Sequence, residues 1–254
     1  MTLYVNDSLK LSVVVPVHNE RDNVLQLIGE IEAALSAVPG LGFEMVFVDD
    51  ASCDDTLAVL QSAQLRFPRL RVLNHARQSG QSTAVHNGVK NARAAWIATL
   101  DGDGQNDPAD IGKLLSQRDQ AAASSAKCFA GWRRDRRDTW LRRISSRIAN
   151  AVRGYLLKDQ TPDSGCGLKL FERSAFLELP YFDHMHRFLP ALFARHGVAT
   201  CSVPVGHRPR TRGISKYGVW NRLWVGMVDI VGVAWLQRRV RNTALHEAPQ
   251  RVDP

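Results

Sequence analysis

The sequence is poor in cysteine and contains no segment typical of a signal peptide or a membrane span. Its four cysteines, Cys53, Cys128, Cys166 and Cys201, lie far apart and lack the close pairs of zinc sites. We therefore expect reduced, structural thiols in a cytosolic protein. The N-terminus lacks a basic region followed by a long apolar run, which argues against a secretory signal. Because no segment reaches the roughly 20 apolar residues that span a bilayer, we do not expect an integral membrane protein.

The sequence also lacks internal repeats, low-complexity tracts and a cluster of histidines at ligand spacing. With 254 residues, 44% of them hydrophobic and 23% charged, its composition is that of an ordinary globular chain. That length suits one large domain or two small ones. We expect no metal at the histidines that lack this spacing, which are His75, His86, His186, His196 and His207.

Positive charge is concentrated in two segments of the chain. The formal net charge is +8, but residues 131–158 alone carry +7 and residues 207–222 carry +5. We call these the first and second basic segments. The rest of the chain is therefore net acidic. Such a distribution points to an anionic ligand or an anionic surface at two places.

Predicted strands and helices alternate four times in the first half of the chain. Apolar, β-branched runs such as "LSVVVPV" end in polar residues. Segments with helical spacing follow them, as in Val24, Leu27, Ile28, Ile31 and Leu35. This alternation predicts a parallel sheet covered by helices, with ligands at the carboxyl ends of the strands. The polar groups expected at that edge are residues 18–20, 49–50, 74–75 and 101–107.

The stretch "ATLDGDGQNDPADI", residues 98–111, holds the strongest candidate for a metal site. Asp101 and Asp103 follow an apolar strand directly, and a hard cation such as Mg²⁺ or Mn²⁺ prefers such oxygen ligands. Gly102 and Gly104 permit close backbone approach and turn conformations. The alternative is a solvated Asp-Gly turn. A metal-bridged diphosphate would reconcile these acids with the basic segments, because the cation and the arginines would together hold the phosphates.

Seven blocks of the sequence resemble family 2 glycosyltransferases. They are "VVVPVHNE", "VFVDDASCDDT", "NHARQSGQSTAVHNGVKNA", "LDGDGQNDP", "AGWRRDRRD", "SGCGLKLF" and "RTRGISKYG". The resemblance covers residues 11 to about 220 and is greatest to the enzymes that transfer a sugar to dolichyl or undecaprenyl phosphate. It implies an α/β fold of the GT-A, Rossmann-like type, with a mostly parallel central sheet flanked by helices. It further implies a nucleoside-diphosphate sugar donor, Mg²⁺ or Mn²⁺, and inversion at the anomeric carbon.

The resemblance also implies roles for individual residues. The nucleotide sugar would be bound by Pro16, His18 (where relatives often carry tyrosine), Glu20, Asp49, Asp50, Gly80, Asp101, Gly102, Asp103, Arg133, Arg212, Ser215 and Lys216. One of Asp49 and Asp50 would read the base, and the other would cap the turn. The metal would be held by Asp101, Asp103 and Gln105. The catalytic residues would be Asp103, Asp163, Arg212 and Lys216, with cationic groups stabilising the departing diphosphate.

The nature of the acceptor decides whether a general base is needed. A phosphate monoester is already a nucleophile near neutral pH, whereas a sugar hydroxyl needs a carboxylate base. The resemblance places Asp163 in that position, with Asp183 second, and the alternative for Asp163 is a turn residue after Pro162. Relatives tend to have an acidic residue before "MHRF", where this sequence has His184. A polyprenyl phosphate is the expected acceptor, and a saccharide or another hydroxyl is the alternative.

The arginines of the first basic segment have two interpretations. They form a solvated helix face, as charge runs usually do, or they bind phosphate. In the second case Arg133, Arg134 and Arg137 receive the acceptor phosphate, and Arg142, Arg143 and Arg147 contact anionic lipid. The apolar face expected beside them, which would suit a membrane-surface helix, consists of Trp140, Leu141, Ile144, Ile148 and Val152.

The sequence predicts a catalytic domain over residues 1–218 and an amphipathic helix and tail over residues 219–254. The last apolar run has 14 residues, is interrupted by Asp229 and is too short to span a bilayer. Its stripe of Trp220, Trp224, Met227, Val231 and Trp235 either lies in a membrane interface or packs on the catalytic domain. We expect a cytoplasmic protein, peripheral at most on the inner face of the membrane. No nucleic-acid motif is present, so no nucleic acid partner is expected, and the oligomeric state is not predicted.

Overall fold

Seven strands of the described chain form one mixed, mostly parallel sheet. The computed structural model describes residues 9–121, 126–133, 154, 156–157, 161–209 and 219–239, with the side chains of 219–225 outside that description. The strands are β1 (Leu9–Val17), β2 (Gly42–Asp49), β3 (Leu70–Asn74), β4 (Trp96–Thr99), β5 (Ala126–Arg133), β6 (Lys169–Glu172) and β7 (Ala199–Val205). Their order is β3-β2-β1-β4-β6-β5-β7. Strand β6 alone among them is antiparallel to its neighbours, β4 and β5.

Helices follow the strands as the alternating pattern predicts. They are α1 (Arg21–Ser36), α2 (Thr56–Gln64), α3 (Gln81–Asn91), α4 (Ile111–Gln120), α5 (Arg173–Leu177), α6 (Leu189–Arg195) and α7 (Val219–Arg238). Two short 3₁₀ helices, Pro108–Asp110 and Met185–Arg187, precede α4 and α6. Gly80 caps α3 with a φ of 89°, and Pro108 begins the 3₁₀ turn before α4.

The hydrophobic core lies on both faces of the sheet. Within β1, Val13 and Val15 pack against α1, and Val14 packs on the opposite face against α3. All three side chains are fully buried. Strands covered on both faces read as continuous apolar runs, which explains the sequence of β1 and β2. The predicted parallel sheet flanked by helices is thus confirmed.

The reversed direction of β6 brings a loop to the functional edge of the sheet. In the segment "DSGCGLKLF" and the residue after it, only Lys169–Glu172 is strand, and residues 161–168 form turns and bends before it. Lys169 pairs with Thr99 in the register of β4 and β6. Because β6 begins where β4 ends, the loop 161–168 lies beside the residues that follow β4.

Helix α7 packs with one face on the catalytic body and leaves an apolar face exposed. Val233 is buried in the core, with Ile230 and Ala234 beside it. On the outer face Met227, Val228, Val231 and Trp235 are 52%, 57%, 66% and 56% exposed. The interpretation that the stripe packs on the catalytic domain is therefore wrong for Met227, Val231 and Trp235, while contact with a membrane stays a prediction.

No helix in the described part of the chain is long and apolar enough to cross a membrane. The side chains of Trp220 and Trp224 lie outside the described residues. The proposed division at residue 218 falls there too and stays a prediction.

Candidate functional site

The turn after β4 is built by its own polar side chains. Asp103 Oδ1 accepts a hydrogen bond from the Gln105 N–H at 3.1 Å, and Asn106 Oδ1 accepts one from the Asp101 N–H at 3.4 Å. Asp107 caps the following 3₁₀ helix by accepting from the Ala109 N–H at 3.0 Å. Asn106, Asp107 and one oxygen of Asp103 thus shape the turn, which leaves the Oδ2 atom of Asp103 for a ligand.

Glycine is required at position 102 because the turn passes directly over β1. A Cβ on Gly102 would lie 2.6 Å from Val17 Cγ1 and 2.9 Å from the Pro16 carbonyl oxygen. The predicted close approach is therefore confirmed. Gly104 has a φ of +72°, which is a left-handed conformation that favours glycine.

The Asp101 carboxylate sits at the base of a cleft between two elements. Gln81, the first residue of α3, donates from Nε2 to Asp101 Oδ1 at 2.8 Å. On the other side a Cβ on Gly167 would lie 2.2 Å from Asp101 Oδ2, so only glycine leaves room for the carboxylate. Burial and then repulsion from Asp103 raise the pKa of Asp101, while the charges of Lys169 and Arg133 oppose the rise.

The pair of Asp101 and Asp103 fits a divalent cation. Their mutual repulsion is the electrostatic condition that a bound cation relieves. Gln105 as a third ligand stays a prediction. Within the described ranges, no group of three or more His, Cys, Asp or Glu side chains is arranged to hold a metal. Two carboxylates leave coordination positions for substrate phosphates or water, as Mg²⁺ sites usually do.

Asp101 lines a cavity of about 550 Å³ whose lining includes positive, polar and apolar side chains. The positive groups are Arg133, Lys169 and Arg187. The apolar wall is formed by Val85, Leu100, Phe188, Leu189 and Ile230, the last contributed by α7. Asp103 instead lines a neighbouring cavity of about 250 Å³ together with Arg208.

Arg133 and Asp163 form a bidentate ion pair in the large cavity. Arg133 Nε donates to Asp163 Oδ2 at 2.7 Å and Nη2 donates to Oδ1 at 2.9 Å. The two side chains are only 13% and 9% exposed. Burial lowers the pKa of Arg133, but the hydrogen bonds and charge of Asp163 outweigh it and raise that pKa. Both carboxylate oxygens of the predicted base are thus engaged by a permanently charged guanidinium.

Lys169 is a functional candidate that the sequence analysis did not name. It is 3% exposed, lines the large cavity, and its Nζ donates to the Cys166 carbonyl oxygen. No carboxylate forms an ion pair with it among the described residues. The signal in the sequence was its position in the block "SGCGLKLF". Its burial, which is rare for a lysine without a counter-charge, is visible only in the structure.

His186 is a second candidate that sequence reasoning did not assign. Its Nδ1 lies 2.6 Å from Ser82 Oγ in α3, and its backbone N–H donates to the same oxygen at 3.3 Å. Burial, followed by the charges of Arg187 and Lys169, lowers the pKa of His186 to about 3. The imidazole is therefore neutral at physiological pH. The signal was its position in "MHRF", but only the fold brings that segment onto α3.

Asp49 and Asp50, one of which was expected to read the base, are both buried and hydrogen-bonded to protein. Asp49 accepts from the N–H and hydroxyl of Ser52, whereas Asp50 accepts from His75 and from the N–H groups of Ser79 and Gly80. Asp50 thereby organises the loop that enters α3. Asp49 caps its own turn, as one of the pair was expected to do, and base recognition by the other stays a prediction.

The other predicted nucleotide-binding residues are spread along the same edge. Pro16 lines the large cavity. His18 Nδ1 lies 2.9 Å from the Asp50 carbonyl oxygen, and Glu20 Oε2 accepts from the Asn23 side chain at 2.7 Å. The His18–Asp50 contact holds the loop after β1 against the loop after β2, as do the Asn19 N–H donating to Ser52 Oγ at 2.9 Å and the Cys53 N–H donating to Asn19 Oδ1 at 2.7 Å. The predicted gathering of polar strand ends is therefore confirmed for this part of the edge.

Asp183, the second candidate base, lies at the rim rather than in the large cavity. Its side chain is 68% exposed, and a Cβ on Gly80 would lie 3.5 Å from Asp183 Oδ1. The next residue, His184, has a φ of 64° and places Nδ1 3.1 Å from Asp229 Oδ2 of α7. The segment 181–188 thus connects the start of α3 with α7.

Several predicted residues lie outside the described part of the chain. They are Arg212, Ser215 and Lys216 of the second basic segment, and Arg134, Arg137, Arg142, Arg143, Arg147 and the apolar residues 140–152 of the first. Arg208, which belongs to the second basic segment, pairs with Glu30 at 2.6 Å and Asp107 at 2.9 Å. Its charge is thus neutralised within the protein.

Comparison with known proteins relates the whole arrangement to enzymes of sugar transfer. The sequence model of "Glycosyl transferase family 2" matches residues 12–179. The dodecaprenyl-phosphate galacturonate synthase of Rhizobium johnstonii is 36% identical over 237 residues, covering 91% of this chain and 68% of the relative. The undecaprenyl-phosphate 4-deoxy-4-formamido-L-arabinose transferase of Edwardsiella ictaluri is 33% identical over 225 residues, covering 87% of this chain and 66% of the relative. The chain thus spans about two thirds of the length of these relatives.

Solved structures share the fold at low sequence identity. The Mycobacterium tuberculosis glucosyl-3-phosphoglycerate synthase, solved with Mn²⁺, UDP and glucosyl-3-phosphoglycerate, superposes with a TM-score of 0.68 at 16% identity, covering 94% of this chain and 83% of that one. A Pyrobaculum calidifontis mannosyltransferase, solved with GDP-mannose and Mn²⁺, gives 0.62 at 18% identity, covering 94% and 66%. At these identities the likeness extends to the fold alone.

Proposed function

Because the chain belongs to glycosyltransferase family 2 and has the GT-A fold, we propose that it moves a sugar from a nucleoside diphosphate to a polyprenyl phosphate. The two relatives named above are, by name, transferases or synthases acting on dodecaprenyl or undecaprenyl phosphate. The alignments with them cover 91% and 87% of this chain. Their acceptor class is thus the first candidate for this protein.

The observation that carries the proposal is the composition of the large cavity. Its lining includes the cationic residues Arg133, Lys169 and Arg187, the carboxylate of Asp101, and apolar residues that include Ile230 of α7. A lipid phosphate needs a cationic site for its head group and an apolar path for the first part of its chain. The lining also contains Gln81, Thr99 and Ser164, which are groups that a saccharide acceptor would use, so the apolar residues of the lining are what favour the lipid.

Asp101, Asp103 and Gln105 are proposed to hold Mg²⁺ or Mn²⁺ next to the donor diphosphate. When bound, such a cation offsets the negative charge that grows on the leaving diphosphate. Gln81 and Gly167 keep the Asp101 carboxylate in place for this role through the contacts described above. Arg212, Ser215 and Lys216 are proposed to close over the same diphosphate.

The proposed reaction is a single displacement with inversion at the anomeric carbon. An oxygen of the polyprenyl phosphate attacks the anomeric carbon from the face opposite the diphosphate. The new C–O bond forms while the bond to the diphosphate breaks, and the electron pair leaves on the nucleoside diphosphate. A phosphate monoester has its second pKa near 6 and is mostly dianionic at neutral pH, so no general base has to remove a proton.

The alternative, a hydroxyl acceptor with Asp163 as base, is disfavoured by the Arg133–Asp163 pair. Both Asp163 oxygens accept from Arg133, and the pair is largely buried. Taking up a proton at Asp163 would break a bidentate, charge-assisted contact, which is unfavourable for a general base. The pair instead suits a role in which Asp163 fixes Arg133 toward the cavity.

The protein is further proposed to act at the inner face of the cytoplasmic membrane. The exposed apolar face of α7 ends at Arg238 and Arg239, and the Arg239 guanidinium lies 5.5 Å from the centre of the Trp235 ring. An apolar face next to basic residues is typical of helices that lie in the interface of anionic membranes. The apolar cavity wall on the same helix would then open close to the lipid phase.

An acceptor competition assay tests the proposal. Purified protein is incubated with radiolabelled UDP- and GDP-sugars, Mn²⁺ or Mg²⁺, and either undecaprenyl phosphate or saccharides. Label is expected in the lipid extract and to depend on metal. The Asp163→Asn variant should keep measurable transfer, since the amide still accepts from Arg133. Transfer to saccharides but not to lipid phosphate, abolished in Asp163→Asn, would establish the alternative.

A further inference from the structure

We infer that His186 presents an Nε2–H donor to a phosphoryl oxygen in the large cavity, and that Ser82 is the positioning residue that fixes this tautomer. The inference rests on the proposed function and deepens it by assigning a contact to a residue pair outside the metal and arginine groups. It follows from the hydrogen bonds around Ser82, from the surroundings of His186, and from the charges beside it.

The hydroxyl of Ser82 is buried and has few possible hydrogen-bond partners. It lies in the first turn of α3 and is 1% exposed. Its Oγ accepts the backbone N–H of His186 at 3.3 Å and lies 2.6 Å from His186 Nδ1. No other hydrogen bond is formed by this hydroxyl within the described chain.

These contacts select one tautomer of the imidazole. If Nδ1 carried the proton, it would donate to Oγ, and the serine hydroxyl proton would be left buried without an acceptor. If Nδ1 is bare, Ser82 donates its proton to Nδ1 and every buried group has a partner. A buried donor without an acceptor costs roughly 1–3 kcal/mol, so the second arrangement prevails. The proton of the neutral ring is then on Nε2.

The Nε2 atom is open to the cavity. His186 lines the large cavity, and Nε2 has no hydrogen-bond partner in the part of the chain that the structure describes. Nor is Nε2 among the fully buried polar atoms for which no hydrogen bond is found in the described residues, so it is in contact with open space. A ligand in the cavity can therefore reach it.

The charges near His186 favour a phosphoryl oxygen as the group that it binds. Lys169 and Arg187 line the same cavity and are close enough for their charges to lower the pKa of His186. The charge of Asp101 compensates that of Lys169 in part. Because Lys169 forms no direct ion pair with a described carboxylate, an anion in the cavity would compensate its buried charge further. A neutral donor adds a hydrogen bond to that anion without adding a third positive charge.

Two sources could supply the phosphoryl oxygen: the acceptor phosphate and the diphosphate of the donor. Nitrogen-15 NMR on imidazole-labelled protein separates them, because the two ring nitrogens of each neutral tautomer have different shifts. The probes are UDP or GDP with Mg²⁺ in one titration and farnesyl phosphate in the other. We expect the Nε2–H tautomer in the free protein. We further expect the chemical shift of Nε2 to change with one of the two probes, over the concentration range in which that probe binds.

Variants provide the kinetic test. His186→Gln retains an N–H donor near the position of Nε2, whereas His186→Ala removes it, and Ser82→Ala removes the group that sets the tautomer. We expect His186→Ala to lose roughly ten- to a hundredfold in kcat/KM, as for one hydrogen bond to a charged group. His186→Gln should recover most of that loss. His196→Gln, outside the cavity at the end of α6, is the matched control.

The kcat/KM of Ser82→Ala should fall between those of His186→Ala and His186→Gln, and its tautomer populations in the NMR spectrum should shift. The thermal unfolding midpoint of each variant is measured as a control for stability. The inference would be overturned by an Nδ1–H tautomer in the wild type, or by an Nε2 chemical shift that stays unchanged with both phosphate probes. It would also be overturned if His186→Gln and His186→Ala lost the same factor in kcat/KM at unchanged stability. The NMR titrations need no turnover. Absence of transfer to polyprenyl phosphate with a normal Nε2 response would therefore refute the proposed acceptor and leave the phosphoryl contact standing.

Discussion

The carboxylate of Asp101 lies against the α-carbon of Gly167, so close that a Cβ at Gly167 would be 2.2 Å from Asp101 Oδ2. The two residues are far apart in sequence, and the antiparallel pairing of β6 with β4 brings them together. Gln81 holds the other oxygen of the same carboxylate. The position of this metal-ligand candidate thus depends on three separate segments of the chain.

Substituting Gly167 by alanine should displace the Asp101 carboxylate. We expect a loss of roughly a hundredfold in sugar transfer, the scale of a misplacement of about 1 Å in a catalytic group. The readout is kcat/KM over a range of Mn²⁺ concentrations. Gly29→Ala in α1 is the control, because a Cβ there meets nothing within 4 Å. Unaltered activity and metal dependence in Gly167→Ala would show that the contact with Asp101 has no functional role.

Asp103 and Asp107 should differ sharply although they are four residues apart in one turn. Asp103→Asn removes a proposed metal ligand, and we expect it to abolish the Mn²⁺-dependent stabilisation by UDP or GDP in thermal unfolding. Asp107→Asn should retain that stabilisation, since Asp107 caps the 3₁₀ helix and pairs with Arg208. Its cost should be less than about 1 kcal/mol of stability, because asparagine also caps helices and only the partly exposed ion pair with Arg208 is weakened. Equal loss of nucleotide binding in both variants would contradict this division of roles.

His186 should make the folded protein less stable as the pH falls. Its pKa is about 3 when folded, against 6.5 for the ordinary imidazole, because of burial and then the charges of Arg187, Lys169 and His184. Between these two pH values, His186 is therefore protonated in the unfolded chain but remains neutral in the folded protein. Stability is fully present above about pH 6.5 and declines toward the folded pKa, by up to about 1.4 kcal/mol per pH unit.

Urea denaturation of wild type and His186→Gln across this range measures the effect. The wild type should lose stability more steeply than the variant between about pH 6 and pH 5, because other titrating groups are common to both proteins. Parallel curves would mean that His186 becomes protonated in the folded protein as readily as in the unfolded chain.

The two faces of α7 should respond differently to the same change. Val231 is 66% exposed and Val233 is 1% exposed. Val231→Asp should weaken binding to phosphatidylglycerol vesicles by roughly tenfold or more, through lost apolar burial and added repulsion, with little effect on stability. Val233→Asp should destabilise the protein by several kcal/mol, since it buries an unpaired charge. Sedimentation with vesicles and thermal unfolding measure the two effects, and undiminished vesicle binding by Val231→Asp would exclude this face from membrane contact.

The fold could be predicted because its signals are local. The apolar runs of β1 and β2, the helical spacing in α1 and the start signals at Gly80 and Pro108 all reflect short-range preferences of the chain. The direction of β6 could not be predicted in this way. Whether Lys169–Glu172 runs parallel or antiparallel depends on which strand it pairs with across the chain, and its composition is the same in either case.

The residues of the candidate site likewise fall into two groups, those that a local motif reveals and those that depend on contacts between distant segments. Asp101, Asp103 and Gly102 were found because a compact motif follows a strand directly. Lys169 and His186 were missed because their functions depend on burial and on contacts with distant segments, such as that between His186 and Ser82. Asp163 shows the reverse, since its position suggested a base, and only the structure reveals its bidentate contact with Arg133.

Phosphorus-31 NMR of the complete reaction tests the central claim most directly. The sample contains the protein, a UDP- or GDP-sugar, Mg²⁺ and undecaprenyl phosphate. We predict that the phosphate monoester signal of the lipid converts into a phosphodiester signal, at the same rate as free nucleoside diphosphate appears. Release of nucleoside diphosphate with the lipid monoester signal unchanged, and the sugar recovered on a hydroxyl acceptor or on water, would contradict it.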